Sequence, residues 1–292
     1  MSQSFTATEP GALAQTSEGT RRHVLVTGAA GNIGSYFAEH SREKYALRLM
    51  ARASDDGVDA IRPYGEVVFG DLADLKALKE ICEGIDTIVH MAGDPDPSAT
   101  WEDLLDANIS GTYNIFAAAK HAGCRRVIHA SSIHAVSGYA ADIQVKTSEP
   151  VNPGDLYGVS KCFGEALARY MAEKEGVSAI TIRIGAFQPE EAARKESGIG
   201  MLDAWVSRRD LHQLIEKCID VENVQFAILH GLSNNRFKRL DISDARELVG
   251  YDPQDDLTEI NPMIKDLHLT ESVHHHNITD TGRESGIRDD EA

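Results

Sequence analysis

The chain has no apolar run approaching the ~18 residues that a membrane-spanning helix needs. It also begins without the basic-then-apolar pattern of a secretory leader, so a cytoplasmic protein is expected. Cysteine is scarce: Cys82, Cys124, Cys162 and Cys218 are scattered, with no CxxC pair. That reads as reduced thiols rather than a disulfide frame or a zinc site. Basic residues are in deficit, 29 Lys and Arg against 46 Asp and Glu, for a net charge of -17. Such a balance argues against general binding to nucleic acid or to an anionic membrane. Apolar residues, by contrast, make up 42% of the 292 positions, enough for one large domain or one domain with a modest addition.

Residues 1–20 show no periodicity and are expected to be disordered. A single domain is expected over 21–268, followed by a loose polar tail over 269–292. The tail's His274-His275-His276 run reads as solvated rather than as a metal site, and no metal is expected. Between the tails, strand-like and helix-like segments alternate. Strands are predicted at His23–Thr27, Ala46–Met50, Glu66–Phe69, Asp86–Met91, Arg125–Ser131 and Ala179–Ile184. Helices are predicted from the first glycine turn to about Lys44, then over Ala73–Cys82, Trp101–Ala122 and Leu156–Glu175. This order predicts an α/β, Rossmann-type doubly wound parallel sheet covered on both faces. After Ile184 the alternation weakens. A helix over Leu202–Ile219, a strand over Gln225–Leu229 and a helix over Ser243–Val249 predict a small C-terminal substrate-side region, mainly 185–268.

Gly28, Gly31 and Gly34 directly follow the first strand and open the first helix, with Asn32 and Ile33 in its first turn. Glycine suits that place because the turn is tight and the backbone must approach a pyrophosphate, which the helix N-terminus then favours. At the end of the second strand, where an acid would hold ribose hydroxyls, Ala51 is followed by Arg52. A guanidinium there suits a 2'-phosphate, so NADP is favoured over NAD. The competing reading is a solvated Arg52, with Asp55 and Asp56 close by. Asp71-Leu72 after the third strand can meet the adenine, or Asp71 can cap the next helix. Ala92-Gly93 ends the fourth strand, where small residues let a cofactor lie close.

Tyr157 and Lys161 stand four residues apart on one helix face. A phenol titrating near ~10 is a poor base unless a cation favours its phenolate. Beside Lys161, Tyr157 can accept a substrate proton as hydride leaves. Tyr170 and Lys174 repeat the spacing, but ~20 Å further along the helix at 1.5 Å per residue, away from the strand ends where ligands bind. Tyr170 is therefore read as a packing residue. Ser131-Ser132 ends the fifth strand, where a hydroxyl can hold a substrate oxygen. Asn108, in mid-helix where asparagine is unfavourable, invites a supporting role near Lys161, holding a water or a backbone group. His90 reads as a satisfied core histidine.

Val26-Thr-Gly-Ala-Ala-Gly-Asn-Ile-Gly34, Asp71-Leu72, His90-Met-Ala-Gly93, Asn108-Ile-Ser-Gly-Thr112, Ala130-Ser-Ser132 and Tyr157-Gly-Val-Ser-Lys161 together resemble the extended short-chain dehydrogenase/reductase family, over roughly Arg22 to Tyr251. The resemblance implies Ser132, Tyr157 and Lys161 as catalytic, with Asn108 supporting. It places a bound NAD(P) on Gly28, Gly31, Asn32, Ile33, Gly34, Arg52, Asp71, Leu72, Ala92, Gly93, Asn108, Tyr157 and Lys161. A homo-oligomer, dimer or higher, is expected with it. Leu156–Glu165, Arg183-Ile-Gly185, Met201-Leu with Trp205 and Ser207, and Gly250-Tyr-Asp-Pro-Gln-Asp255 are similar to a narrower branch of uronate dehydrogenases and archaeal sugar-phosphate dehydrogenases. That branch oxidises a sugar at C1 to a lactone, and it implies Ser132, Ile133, His134, Tyr157 and Ala186 around the substrate, with Arg183 a further neighbour. The chain departs from the uronate pattern at Ile133, Ala186 and Gly200, where the pattern has an asparagine, a serine and the carboxylate-binding arginine. Arg194 or Lys195 can replace that arginine. The alternatives are a nucleotide-sugar epimerase or dehydratase and a non-catalytic NAD(P)-binding regulator.

Overall fold

The fold was obtained as a computed structural model, which describes residues 21–261, 263 and 264. The two expected tails and the His274–His276 run lie outside the described residues. Seven parallel strands form the main sheet: β1 (His23–Thr27), β2 (Ala46–Ala51), β3 (Glu66–Phe69), β4 (Thr87–His90), β5 (Arg126–Ser132), β6 (Ser178–Ile184) and β9 (Phe226–Gly231). Their spatial order is β3-β2-β1-β4-β5-β6-β9. The chain runs outward from β1 to β3, then returns to β4 on the other side of β1. That reversal opens a crevice at the carboxyl ends of β1 and β4, the usual ligand position in open α/β sheets.

Successive strand residues point to opposite faces, and the core divides accordingly. Val24, Val26, Val89, Ile128 and Ile180 bury themselves on one face with Phe37 of α1 (Asn32–Ser41). Leu211 and Leu214 of a later helix complete that layer. Leu25, Ile88, Val127 and Ala179 face the other way, onto the helices that follow β3, β4 and β5. A parallel strand covered on both faces is buried along its whole length, as all seven residues of β6 are, Ser178, Thr181 and Arg183 included.

Between β2 and β3 lies the short α2 (Val58–Ile61), and after β3 comes α3 (Leu75–Ile81). Asp74 caps α3, its carboxylate accepting from Ala77 N at 3.0 Å, so the helix starts two residues later than predicted. The helix predicted over Trp101–Ala122 has three parts. α4 (Trp101–Leu104) and α5 (Gly111–Ala122) are α-helical, and Leu105–Ser110 between them is a π-helical turn. Such wide turns inside helices concentrate at functional sites. α6 (Leu156–Lys174) packs on β5 and β6.

The helix predicted from Leu202 does not form there. Glu196–Met201 is a 3-10 turn, and Trp205–Val206 (β8) pairs with Ala186–Phe187 (β7) in a second, two-stranded sheet, on either side of the short α7 (Glu190–Ala193). Ala204 O is taken by the Ala186 amide at 2.8 Å, which removes it from any helix. α8 (Arg208–Asp220) begins only after Ser207, whose hydroxyl accepts from Asp210 N at 3.0 Å. After β9 come α9 (Ser243–Val249), as predicted, and α10 (Leu257–Ile260). Among the described residues no helix is long and apolar enough to cross a membrane, and no cluster of three metal-ligating side chains occurs.

Candidate active site

The glycine turn after β1 is held by its own backbone. Gly28 adopts φ 66°, and a Cβ there would lie 2.8 Å from Ala92 N. A Cβ on Gly34 would lie 2.4 Å from Gly28 O, and the Gly31 amide donates to that same oxygen at 3.0 Å. Side chains are therefore excluded, and β1, β4 and α1 meet at backbone distance. Gly31 caps α1 without a side-chain bond, and no acid lies in the first turn, which holds the exposed Asn32 and half-buried Ile33. The amides at this N-terminus suit an anion, and the cradle fits a dinucleotide pyrophosphate.

Arg52 lies exposed at the end of β2. Its Nε donates to Asp55 Oδ1 at 2.9 Å, and its backbone amide to Asp55 Oδ2 at 2.9 Å. Asp71 accepts from Ala73 N at 2.9 Å but does not cap α3, a place taken by Asp74. Leu72 O accepts from Asn114 at 2.8 Å, fixing this turn to α5. Ala92 donates its amide to Thr27 Oγ1 at 3.2 Å. Gly93 has φ 154°; a Cβ on it would lie 2.8 Å from Asn108 Oδ1 and 3.7 Å from Lys161 Nζ. Thus Gly28, Ala92, Gly93, Asn108 and Lys161 converge on the crevice.

α6 delivers the catalytic candidates. Its cap is Asp155, which accepts from Gly158 N at 2.7 Å and shares a 2.7 Å hydrogen bond with His134 Nδ1. A Cβ on Gly158 would lie 2.4 Å from His134 O, so only glycine lets α6 press against the 133–136 turn. That contact sets the buried Tyr157 against the end of β5. Ser132 lies beside its hydroxyl, and its ring meets His134 edge-on at 5.3 Å. Burial pushes the phenol up to about 12, with Ser132 pulling against it and Asp155 and Asp94 adding to the rise. Lys161, one turn on, donates to Ala130 O at 3.1 Å and lies 5.2 Å from the Tyr157 ring centroid. Burial brings its ammonium down to about 8, opposed by Asp94.

Asn108 sits in the π-helical turn. Its Oδ1 accepts from Asp94 N at 2.8 Å, and its Nδ2 donates to Asp94 O and to Ser160 Oγ, both at 3.0 Å. Ser160 in turn donates to Tyr157 O at 2.7 Å. The expectation that Asn108 holds a backbone group near Lys161 is met by Asp94.

Several side chains have other roles than expected. Arg183 is not a substrate neighbour: Glu165 takes its Nε and Nη2 in a buried bidentate pair at 2.8 Å each, and Ser131 donates to the same carboxylate at 2.7 Å. Tyr170 is not a packing residue either: it is 51% exposed, with its hydroxyl on Glu175 at 2.5 Å. His90 is a core histidine, bonded to Thr27 at 2.8 Å, and burial lowers it to about 3. Ile133 packs with Val136, Val145 and Leu240, Ala186 lies in β7, and Gly200 is in the 3-10 turn. Arg194 is engaged by Glu190 and by Ile260 O at 3.1 Å. Asp94, Asp155, Ser160 and Glu165 escaped the sequence reading. Of these, Asp155 carried a signal: an aspartate just ahead of an apolar helix start is a cap pattern.

Residues 24–215 match the NAD dependent epimerase/dehydratase family. The chain belongs to that family, the extended short-chain dehydrogenase/reductases, and is an enzyme of that type. It is 35% identical over 251 residues to the NAD-dependent glucose-6-phosphate dehydrogenase of Haloferax volcanii, covering 81% of this chain and 94% of that one. To the L-arabinose 1-dehydrogenase (NAD(P)(+)) of the same organism it is 32% identical over 251 residues, covering 80% and 96%. The crystal structure of a glucuronic acid dehydrogenase from Chromohalobacter salexigens superimposes with a TM-score of 0.75 at 31% identity, covering 84% of this chain and 88% of that one.

Proposed function

We propose that this enzyme oxidises a sugar or sugar derivative at its anomeric carbon to a lactone, with NADP or NAD as hydride acceptor and Tyr157 as the base. The observation that carries the reading is the grouping of Ser132, Tyr157 and Lys161 at the carboxyl end of β5, with Lys161 Nζ beside the Gly93 backbone that borders the glycine cradle. The nicotinamide, when bound, supplies the hydride acceptor and a positive charge. Ser132 holds the substrate hydroxyl oxygen, and Tyr157 Oη takes its proton. Lys161 favours the phenolate by its charge.

The three relatives act, by name, on glucose 6-phosphate, arabinose and glucuronic acid. For this chain the uronate arm is disfavoured. Ile133, Ala186 and Gly200 offer no side-chain partner for a carboxylate, and Arg194 is already tied to Glu190. Dehydratase chemistry is disfavoured as well, because Ile133 and His134 follow Ser132 where that class carries an acid pair, and His134 is bonded to Asp155. The Arg52 guanidinium, held through Nε and 72% exposed along its side chain, has its terminal nitrogens available to a 2'-phosphate, which supports NADP.

The test is a panel of neutral aldoses, sugar phosphates and uronates, each with NAD and NADP, followed by the absorbance of the reduced cofactor. Uronates should fall about ten- to a hundredfold below the best substrate in kcat/KM, the worth of one charge-assisted hydrogen bond. NADP should serve at least as well as NAD. Highest activity on a uronate would overturn the substrate assignment.

A further inference from the structure

Lys161 is a buried ammonium that donates to a neutral group, the Ala130 carbonyl. A charge in such a place needs a compensating one. The acids on or beside α6 are committed: Glu165 to Arg183 and Ser131, and Asp155 to His134 and the Gly158 amide. Asp94, on the loop after β4, stands next to Gly93, whose Cα face lies against Lys161 Nζ. Its carboxylate accepts from the Asp96 amide at 2.8 Å, within its own loop. Its backbone is fixed from both sides by Asn108, which receives the Asp94 amide and donates to the Asp94 carbonyl. Asn108 is itself tied to Ser160, the residue before Lys161. The loop acid and the helix cation are thus held in register by one asparagine.

We infer that Asp94 is the counter-charge of Lys161, a positioning residue that sets the protonation of the Tyr157–Lys161 pair through space. The inference rests on the proposed chemistry, in which that pair moves the proton. A negative charge favours the protonated form of both groups, and Asp94 does act upward on each. The other groups facing the pair are His90 of β4 and His129 of β5, both driven towards the neutral form by burial and by Lys161. Asp155 adds to the rise of Tyr157 while Ser132 opposes it, and the His134 ring lies edge-on to the Tyr157 ring.

Asp94→Asn removes the charge but keeps an oxygen for the Asp96 amide, and Asp94→Ser provides the same with a smaller group. Ultraviolet difference titration of tyrosinate, in the presence of saturating NAD+, reads the pair directly; Tyr157→Phe identifies which step belongs to Tyr157. Both Asp94 variants should move that step to lower pH by about one unit, tenfold in the deprotonation equilibrium. The pH profile of sugar oxidation should move the same way. A Tyr157 step that stays in place in a folded Asp94 variant would overturn the inference. A shifted step in a protein that oxidises no sugar would uphold it and sink the proposed function instead.

Discussion

α6 carries the same four-residue spacing twice, and the two copies have different fates. Tyr157 is the second residue of the helix, buried against Ser132 and His134, with Lys161 buried beside it. Tyr170 and Lys174 lie in the last turns, exposed, and Tyr170 bonds Glu175, which also pairs with Lys120. Burial raises the Tyr157 phenol; a hydrogen bond to the neighbouring Glu175 raises that of Tyr170. Spacing sets which face of a helix two side chains share. Which end of the helix they occupy decides whether that face meets the carboxyl edge of the sheet.

The comparison breaks first at Tyr157. Tyr157→Phe should lower turnover by about 10²–10⁴, the range for a lost acid–base group, with cofactor binding and melting temperature unchanged. Retention of half the wild-type turnover would erase the distinction between the two copies. Midway along the helix, Glu165→Gln leaves the Arg183 charge buried without its counter-ion. Urea unfolding should show a loss of about 3–5 kcal/mol. A loss below about 1 kcal/mol would mean that the middle of α6 is held by apolar packing alone. The smallest effect belongs to Tyr170→Phe, which should change stability by no more than about 0.5 kcal/mol and leave turnover as it was. Any clear fall in turnover there would show that the outer copy has a catalytic connection.

Much of the cofactor side was legible because its determinants are local. The strand His23–Thr27, the three glycines and the following helix lie within one short stretch, and each residue's requirement follows from its neighbours in sequence. The same holds for Tyr157 and Lys161. What stayed hidden depends on partners distant in the chain or on geometry that composition does not encode. Arg183 finds Glu165 on another element, so nothing adjacent to it signals a buried pair. The Leu202–Val206 stretch is apolar enough for a helix, and only the pairing of Trp205–Val206 with β7 shows a strand there. Asp94 looks like a loop aspartate until Asn108 is seen to grip its backbone.

The π-helical turn at Leu105–Ser110 makes chain length a part of the site. Such a turn holds one residue more than the α-helix would, and each residue advances an α-helix by about 100°. Deleting a single residue between Trp101 and Gly111 would swing α4 around relative to α5 and carry Asn108 off the Asp94 loop, without changing Ser132, Tyr157 or Lys161. Insertions and deletions in this stretch therefore count more than substitutions do. An alignment or a grafted design that preserves every motif but miscounts here would keep the chemistry's letters and lose their register.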